Sequence, residues 1–439
     1  MRFTDARFRL LLYLERRTHK FVVMKRFLWL TIVPCLLSLL AVGCSRIDKE
    51  DDGENPYKAL SLTTKQSEMV ADGNAFSYRF ISEVDAFARD HEHTDWFVSP
   101  LSLQMALGML LNGAQGETAA EICTMLGFGA GETAAVNAYC RQLLTQLPAL
   151  DKKTDLVLAN AIFYNKQITL KTSFRNVVSQ QYDAALEALD FSKAKATADT
   201  INNWCKKQTK GMIPEVLDEE DIDPSMLAYL VNALYFKSQW KEKFAKDDTA
   251  SEKFTREDNS GTKVKMMKLA GKEFPYGENE TYQAIRLPYG NEAFSMTVLL
   301  PKEGNTVGDV AARLAKDGRI EILEPAVADL WLPSFETKYH ILLNEVLQSM
   351  GMNRSFTGQA DFLAMSDTPS YVNIVQQDAV IKVDEEGAEV AAVTVIGMKR
   401  NASSLSREVT FHADHPFLYL ITEASTGRSE ERRVGKECR

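Results

Sequence analysis

An α+β fold is what this sequence predicts. Helical spacings gather toward its front and extended apolar runs toward its back, with no regular alternation of the two. Hydrophobic residues make up 45% of its 439 positions, charged residues 25% and aromatics 9%. That composition is globular and excludes a disordered, collagen-like or multi-span membrane chain. No self-similarity at 20–50 residues points to a repeat fold.

The first segment reads as an address. Residues 1–43 hold eight Lys or Arg against two Asp or Glu, so the formal charge of −9 falls as −15 on the residues after them. Lys25-Arg26 precede Phe27–Gly43, an apolar run of 17 residues, and Gly43-Cys44 ends it. A charged start, an apolar stretch and a small-residue end describe an export signal. The run is short of the ~20 residues a spanning helix needs. Met24 is read as the translation start, with residues 1–23 a spurious extension. Leu40-Ala41-Val42-Gly43-Cys44 resembles a bacterial lipobox, with alanine where that motif has leucine, and makes Cys44 the expected lipidation site. An ordinary signal with an incidental cysteine is the alternative. Residues 44–65, acidic and polar at first, read as a tether. The expected location is therefore export, with lipid anchoring at the cell envelope or surface, or release outside the cell.

Element by element, Phe76, Phe80, Val84 and Phe87 give Ala71–Arg89 helical spacing. Ser102–Leu111 is an apolar helix broken by Asn112-Gly113, and Glu117–Leu126 is a short one. Leu156–Tyr164 is dense in apolar and aromatic residues and reads as a buried strand. Thr200–Thr209 is helical. Leu227–Phe236, Ser295–Leu300 and Asp329–Pro333 read as strands, the second stopped by Pro301. His340–Met350 reads as a helix ending at Gly351, Val372–Val383 as a long extended run, and Phe417–Ile421 as a last short strand.

Catalytic signatures do not emerge. The chain has no Gly-x-Ser-x-Gly, no His-Glu-x-x-His and no phosphate loop ending Gly-Lys-Ser/Thr. GFGAG at 127–131 follows a helix rather than a strand and reads as a loop. Six histidines form no nucleophile–base or metal-clasp pattern, and six cysteines fit no metal or disulfide framework. Cys123 and Cys140 sit in apolar patterns, as small core residues do. No catalytic residue, metal or cofactor is expected, so the chain is not read as an enzyme. Its acidity makes nucleic acid a poor partner.

Residues 385–406 have a character of their own. Along a strand, Ala388, Val390, Ala392, Thr394 and Ile396 share one face and Glu389, Ala391, Val393 and Val395 the other. Valine, isoleucine and threonine favour strands. Met398-Lys399-Arg400-Asn401-Ala402-Ser403-Ser404 follow, basic and small. A latent strand ahead of an exposed basic pair suits attack by a protease. On the residues alone, a plain edge strand with a solvated turn is the favoured reading.

Several motifs taken in order carry a resemblance. These are Trp96–Ser102, Asn112–Thr118, Leu230–Lys237 with Trp240 and Phe244, Asp384–Ala392, and His415-Pro416-Phe417. Together they resemble the serpins, suicide inhibitors of proteases, over residues 66–427. The resemblance implies three β-sheets, about nine helices and an exposed reactive-centre loop near the C-terminus. It makes Glu385, Gly387, Ala388, Glu389, Val390, Ala391 and Ala392 the hinge, with Val390 where alanine is usual. It implies that a serine protease, with a cysteine protease as the open alternative, is the partner of a monomer whose membrane contact is its lipid anchor alone. The protease is expected to form an acyl-enzyme with the loop, which then inserts into the main sheet. Arg400-Asn401 is the expected reactive bond, because a trypsin-like pocket pairs a carboxylate with arginine. Asn401-Ala402 and Lys399-Arg400 remain open. Ser99, Ser102 and Asn232 match the family's polar cluster under the opening sheet. Gln377 replaces a common histidine there, which implies lost pH sensitivity, and Trp240 matches an aromatic near the sheet top. A serpin-fold binder cleaved without trapping is the runner-up, and a surface-anchored enzyme the third reading.

The end departs from the pattern. Where the family has an apolar strand, eight of the twelve residues Arg428–Arg439 are charged. Such a segment is expected to resist a core position. It resembles translated vector or assembly read-through, and 428–439 is read as a non-native replacement of the last core strand.

Overall fold

The computed structural model describes residues 55–91, 95–388 and 407–426, with the backbone of 429–434. Helix α1 (Thr64–Asp90) opens with a capping box, in which Thr63 and Gln66 satisfy each other's backbone N–H. The apolar periodicity thus reaches seven residues further toward the N-terminus than the sequence reading. Strand β1 (Trp96–Val98) leads into α2 (Pro100–Leu111), with Ser99 as N-cap and Pro100 in the first turn. Nearly every side chain of α2 is buried, so this helix runs through the core. Helices α3 (Gly116–Met125), α4 (Thr133–Gln146), α5 (Thr172–Tyr182) and α6 (Ala194–Gln208) follow, with β2 (Asp155–Asn165) and β3 (Ala185–Leu189) around α5.

Strands then dominate, as the sequence predicts. They are β4 (Ala228–Gln239), β5 (Ala250–Thr255), β6 (Gly261–Glu278), β7 (Tyr282–Pro288), β8 (Phe294–Pro301), β9 (Glu324–Pro333), β10 (Phe335–Leu342), β11 (Gln376–Asp384), β12 (Gly387–Ala388), β13 (Arg407–His412), β14 (Phe417–Glu423) and β15 (Ser429–Val434). Helix α7 (Val307–Asp317) precedes β9, and α8 (Asn344–Ser349) follows β10. The described residues hold eight α-helices and two hydrogen-bonded sheets. One runs β10-β11-β12-β4-β2-β3. The other runs β1-β15-β14-β8-β7-β6-β9-β13, with β5 also on β6. The long β6 carries a register shift between Leu269 and Lys272, so one strand serves two patches of the larger sheet.

Two sequence readings change. His340–Met350 is not one helix. Phe335, Thr337, Tyr339 and Ile341 are buried while their neighbours are exposed, so a period of two carries β10 through Leu342 before α8 begins. The extended run from Val372 becomes strand only at Gln376; the N–H of Val375 is instead taken by the Asn344 side chain. At the other end, the backbone of β15 lies between β1 and β14, the position that its charge was expected to deny it.

Candidate functional site

The smaller sheet carries the site. Its strand β12 has two residues, with Ala388 opposite Val383 of β11 on one side and Ser238 of β4 on the other. Among the described residues β12 is the link between β11 and β4. Beyond it the two strands bound a slot. A cavity of about 160 Å³ lies there, lined by Leu103, Leu107, Leu110, Ile213, Leu230 and residues 370–378. A smaller one of about 20 Å³, against Ser99, Ser102, Phe236 and Gln377, lies nearer β12.

The segment expected to be the hinge is clamped where it meets the sheet. Trp240, 2% exposed, stacks on Tyr289 with ring centroids 4.3 Å apart. Its Nε1 donates to the Asp384 carbonyl at 2.9 Å and its backbone N–H to the Glu386 carbonyl at 2.9 Å. The Phe244 N–H donates to the Glu385 carbonyl at 3.1 Å, and Thr249 Oγ1 donates to Glu385 Oε1 at 2.9 Å. Lys243 Nζ lies 2.8 Å from Glu386 Oε2, and both side chains are under a fifth exposed. Gly387 has φ +146°, and a Cβ there would lie 2.2 Å from the Ser238 carbonyl oxygen. Only glycine fits such backbone at such an approach.

Deeper in the slot the polar residues expected to cluster do so. The Ser99 N–H donates to Gln377 Oε1 at 2.7 Å, and Gln377 Nε2 donates to the Ser99 carbonyl at 3.0 Å. Ser102 Oγ donates to Asn232 Oδ1. Asn232 Nδ2 donates to Asn160 Oδ1 at 2.7 Å, and Asn160 Nδ2 to the Tyr182 carbonyl at 2.8 Å. Asn160 escaped the sequence reading. Its signal is a polar residue inside the apolar run of β2, in register with Asn232. Lys243 and Thr249 were also missed; nothing local marks them. Glu389, Val390, Ala391, Ala392, Arg400, Asn401 and Cys44 lie outside the described residues.

A family model described as Serpin (serine protease inhibitor) matches residues 72–429. The chain belongs to the serpin family. Serpin B6 of Pongo abelii is 33% identical over 341 residues, 75% of this serpin and 90% of that one. Serine protease inhibitor 42Dd of Drosophila melanogaster is 31% identical over 345 residues, 77% and 91% of the two chains. Among solved structures, the thermophilic serpin Tengpin in its native state matches with TM-score 0.75 at 27% identity, covering 87% of this chain and 97% of that one. A complex of thyroxine-binding globulin with thyroxine matches with TM-score 0.72 at 26% identity, covering 84% and 98%. Serpins are mostly protease inhibitors rather than catalysts, and are commonly secreted or extracellular.

Proposed function

We propose that this serpin traps a trypsin-like serine protease as an acyl-enzyme. The observation that carries the reading is the seated hinge: β12 lies between β11 and β4 at the head of a slot that no described residue fills. The protease serine oxygen attacks the Arg400 carbonyl carbon. The bond to the Asn401 nitrogen breaks, that amine leaves with a proton, and Arg400 remains as an ester. The freed segment continues β12 down the slot. Each backbone hydrogen bond then made with β4 or β11 contributes about 0.5–1.5 kcal/mol, and apolar burial about 25 cal/mol per Å². Insertion drags the ester-linked protease away before water completes the hydrolysis. Residues 24–43 act as the export signal, and lipidated Cys44 holds the domain at the membrane through the tether.

A second reading is a serpin-fold binder that is cleaved without trapping. The likeness to thyroxine-binding globulin and the apolar cavity support it. One gel separates the two. The protein, cut before Cys44, is mixed with trypsin and run under denaturing conditions after boiling. A covalent complex supports trapping, and mass spectrometry of the released peptide identifies the bond. Cleavage without a complex supports the binder.

A further inference from the structure

Residues 209–217, which leave α6, run over the slot and are fastened on both banks. Toward β2 and β4, Lys210 ion-pairs with Asp155, and its Nζ stands 5.3 Å over the Tyr235 ring. Val216 packs into the apolar cluster formed by α6 with Ala161, Phe163 and Tyr229. Toward β11, Gln376 Nε2 donates to the Val216 carbonyl at 2.5 Å, with a second bond to Asp378 Oδ2 at 2.7 Å. Behind the segment, Asn202 of α6 accepts from the N–H groups of Val216 and Leu217 at 2.9 and 3.0 Å, and donates to the Leu217 carbonyl at 2.8 Å. Thr209, Ile213, Val216 and Leu217 thereby roof the cavity between β4 and β11. Asn202 ties the strap to its own helix. Gln376 alone of these side chains ties it to the opposite bank.

We propose that Gln376 is a bolt that holds this strap across the slot and slows strand insertion. It thereby sets the fraction of cleaved loops that escape rather than trap, so it is a positioning residue for the trapping reaction. This rests on the trapping reading above. N–H donors are needed at this place, one for the strap and one for Asp378, and the carboxamide supplies both. Glutamate at this place keeps the shape but faces a carbonyl and a carboxylate with acceptors only. Losing one such bond changes an opening equilibrium by about threefold to tenfold.

The test uses a synthetic Val-Ala-Ala-Val-Thr-Val-Ile peptide, the sequence of residues 390–396, taken up by the full chain without any protease. Uptake is followed by the rise in thermal midpoint with time. Gln376→Glu is expected to take up peptide about threefold to tenfold faster than wild type, and Gln376→Lys, which keeps a donor, at close to the wild-type rate. With trypsin, Gln376→Glu is expected to consume fewer inhibitor molecules per protease trapped. A merely structural role would lower the starting thermal midpoint without this rescue by lysine. Equal or slower uptake by Gln376→Glu overturns the proposal, and so does uptake by no variant, since a slot that never opens has no bolt. Should Gln376→Glu not fold, Gln376→Ala is read by hydrogen exchange at the amides of 213–217. Unchanged protection there also overturns it. Faster peptide uptake without trypsin capture keeps the bolt and sinks the trapping reading.

Discussion

Replacing Gly387 with alanine strikes the hinge at its tightest point. The new Cβ would lie 2.2 Å from the Ser238 carbonyl oxygen, 2.7 Å from Gln239 Cα and 2.9 Å from the Trp240 nitrogen. All three are backbone atoms of β4 or the residue after it, so no side chain can swing aside. The backbone must also leave φ +146°, which L residues avoid at a cost of about 1–3 kcal/mol. Relief requires β12 to part from β4, breaking the pairing of Gly387 with Gln239 and of Ala388 with Ser238. At about 2–3 kcal/mol in total, the seated hinge becomes on the order of 30- to 150-fold rarer. On the trapping mechanism proposed above, insertion then starts from an unseated segment and loses the race with deacylation. The assay is a titration of residual trypsin activity, giving inhibitor molecules consumed per protease trapped, beside a urea midpoint. Gly387→Ala is expected to raise that ratio several-fold while the fold remains intact. An unchanged ratio with unchanged stability refutes the seating argument.

Other outcomes follow from the same geometry. Lys243→Ala leaves the Glu386 carboxylate, 12% exposed, with Lys246 at 3.8 Å as its remaining cation. It is expected to cost about 1–3 kcal/mol in urea denaturation, and the charge-swapped pair Lys243→Glu with Glu386→Lys to recover part of it. Burial alone would lower the His415 imidazole, but Asp414 Oδ1 at 2.8 Å and the Pro301 carbonyl at 2.9 Å face its two nitrogens and hold it above the ordinary histidine value. Its contribution to stability is complete below the unfolded histidine value and is lost as pH rises through the folded one. Asp414→Asn is expected to bring the His415 NMR titration down. Cys123, Cys140 and Cys205 are buried and in no disulfide, and burial followed by the Asp378 charge pushes the Cys205 thiol up to about 12. None is expected to react with a thiol reagent until the protein is unfolded; fast labelling of any of these three in the native protein, located by peptide mapping, contradicts the packing.

How much of this was legible depends on the distance between partners. Ser99 and Ser102 are three residues apart, and the N-cap logic that joins them is local: the Ser102 N–H donates to Ser99 Oγ at 3.1 Å. The strands β2, β4, β8 and β14 were visible because each is an apolar run, although β4 is half-buried along most of its length. The clamp on the hinge was not. Lys243 and Glu386 lie 143 positions apart, and Thr249 and Glu385 lie 136 apart. Each reads as solvated loop charge or polarity until β4 and β11 bring them together. The demand on Gly387 is hidden for the same reason, since the obstructing atoms belong to Ser238–Trp240. Misreading His340–Met350 has a different cause: the switch from period two to period 3.6 occurs within three residues, too few for either to declare itself.

The last strand is where chemistry and topology oppose each other. Pairing sets Arg433 opposite Trp96 and Leu418, Arg432 opposite Phe97 and Tyr419, and Glu431 opposite Val98 and Leu420. All six of those neighbours are at most 4% exposed. In general, ionised groups taken out of water are costly unless paired. The backbone hydrogen bonds to β1 and β14 are indifferent to side chains, so topology can hold the strand while its residues oppose it. Exchanging Glu430–Arg433 for Val-Leu-Val-Val keeps those bonds and puts apolar residues in a strand between two buried ones. On the scale of other buried ion-pair replacements, the gain is about 1–4 kcal/mol. Urea and thermal midpoints of the two proteins measure it. A substituted chain no more stable than the original means that the four charges find partners of their own, and it removes the physical ground for reading residues 428–439 as foreign to this serpin.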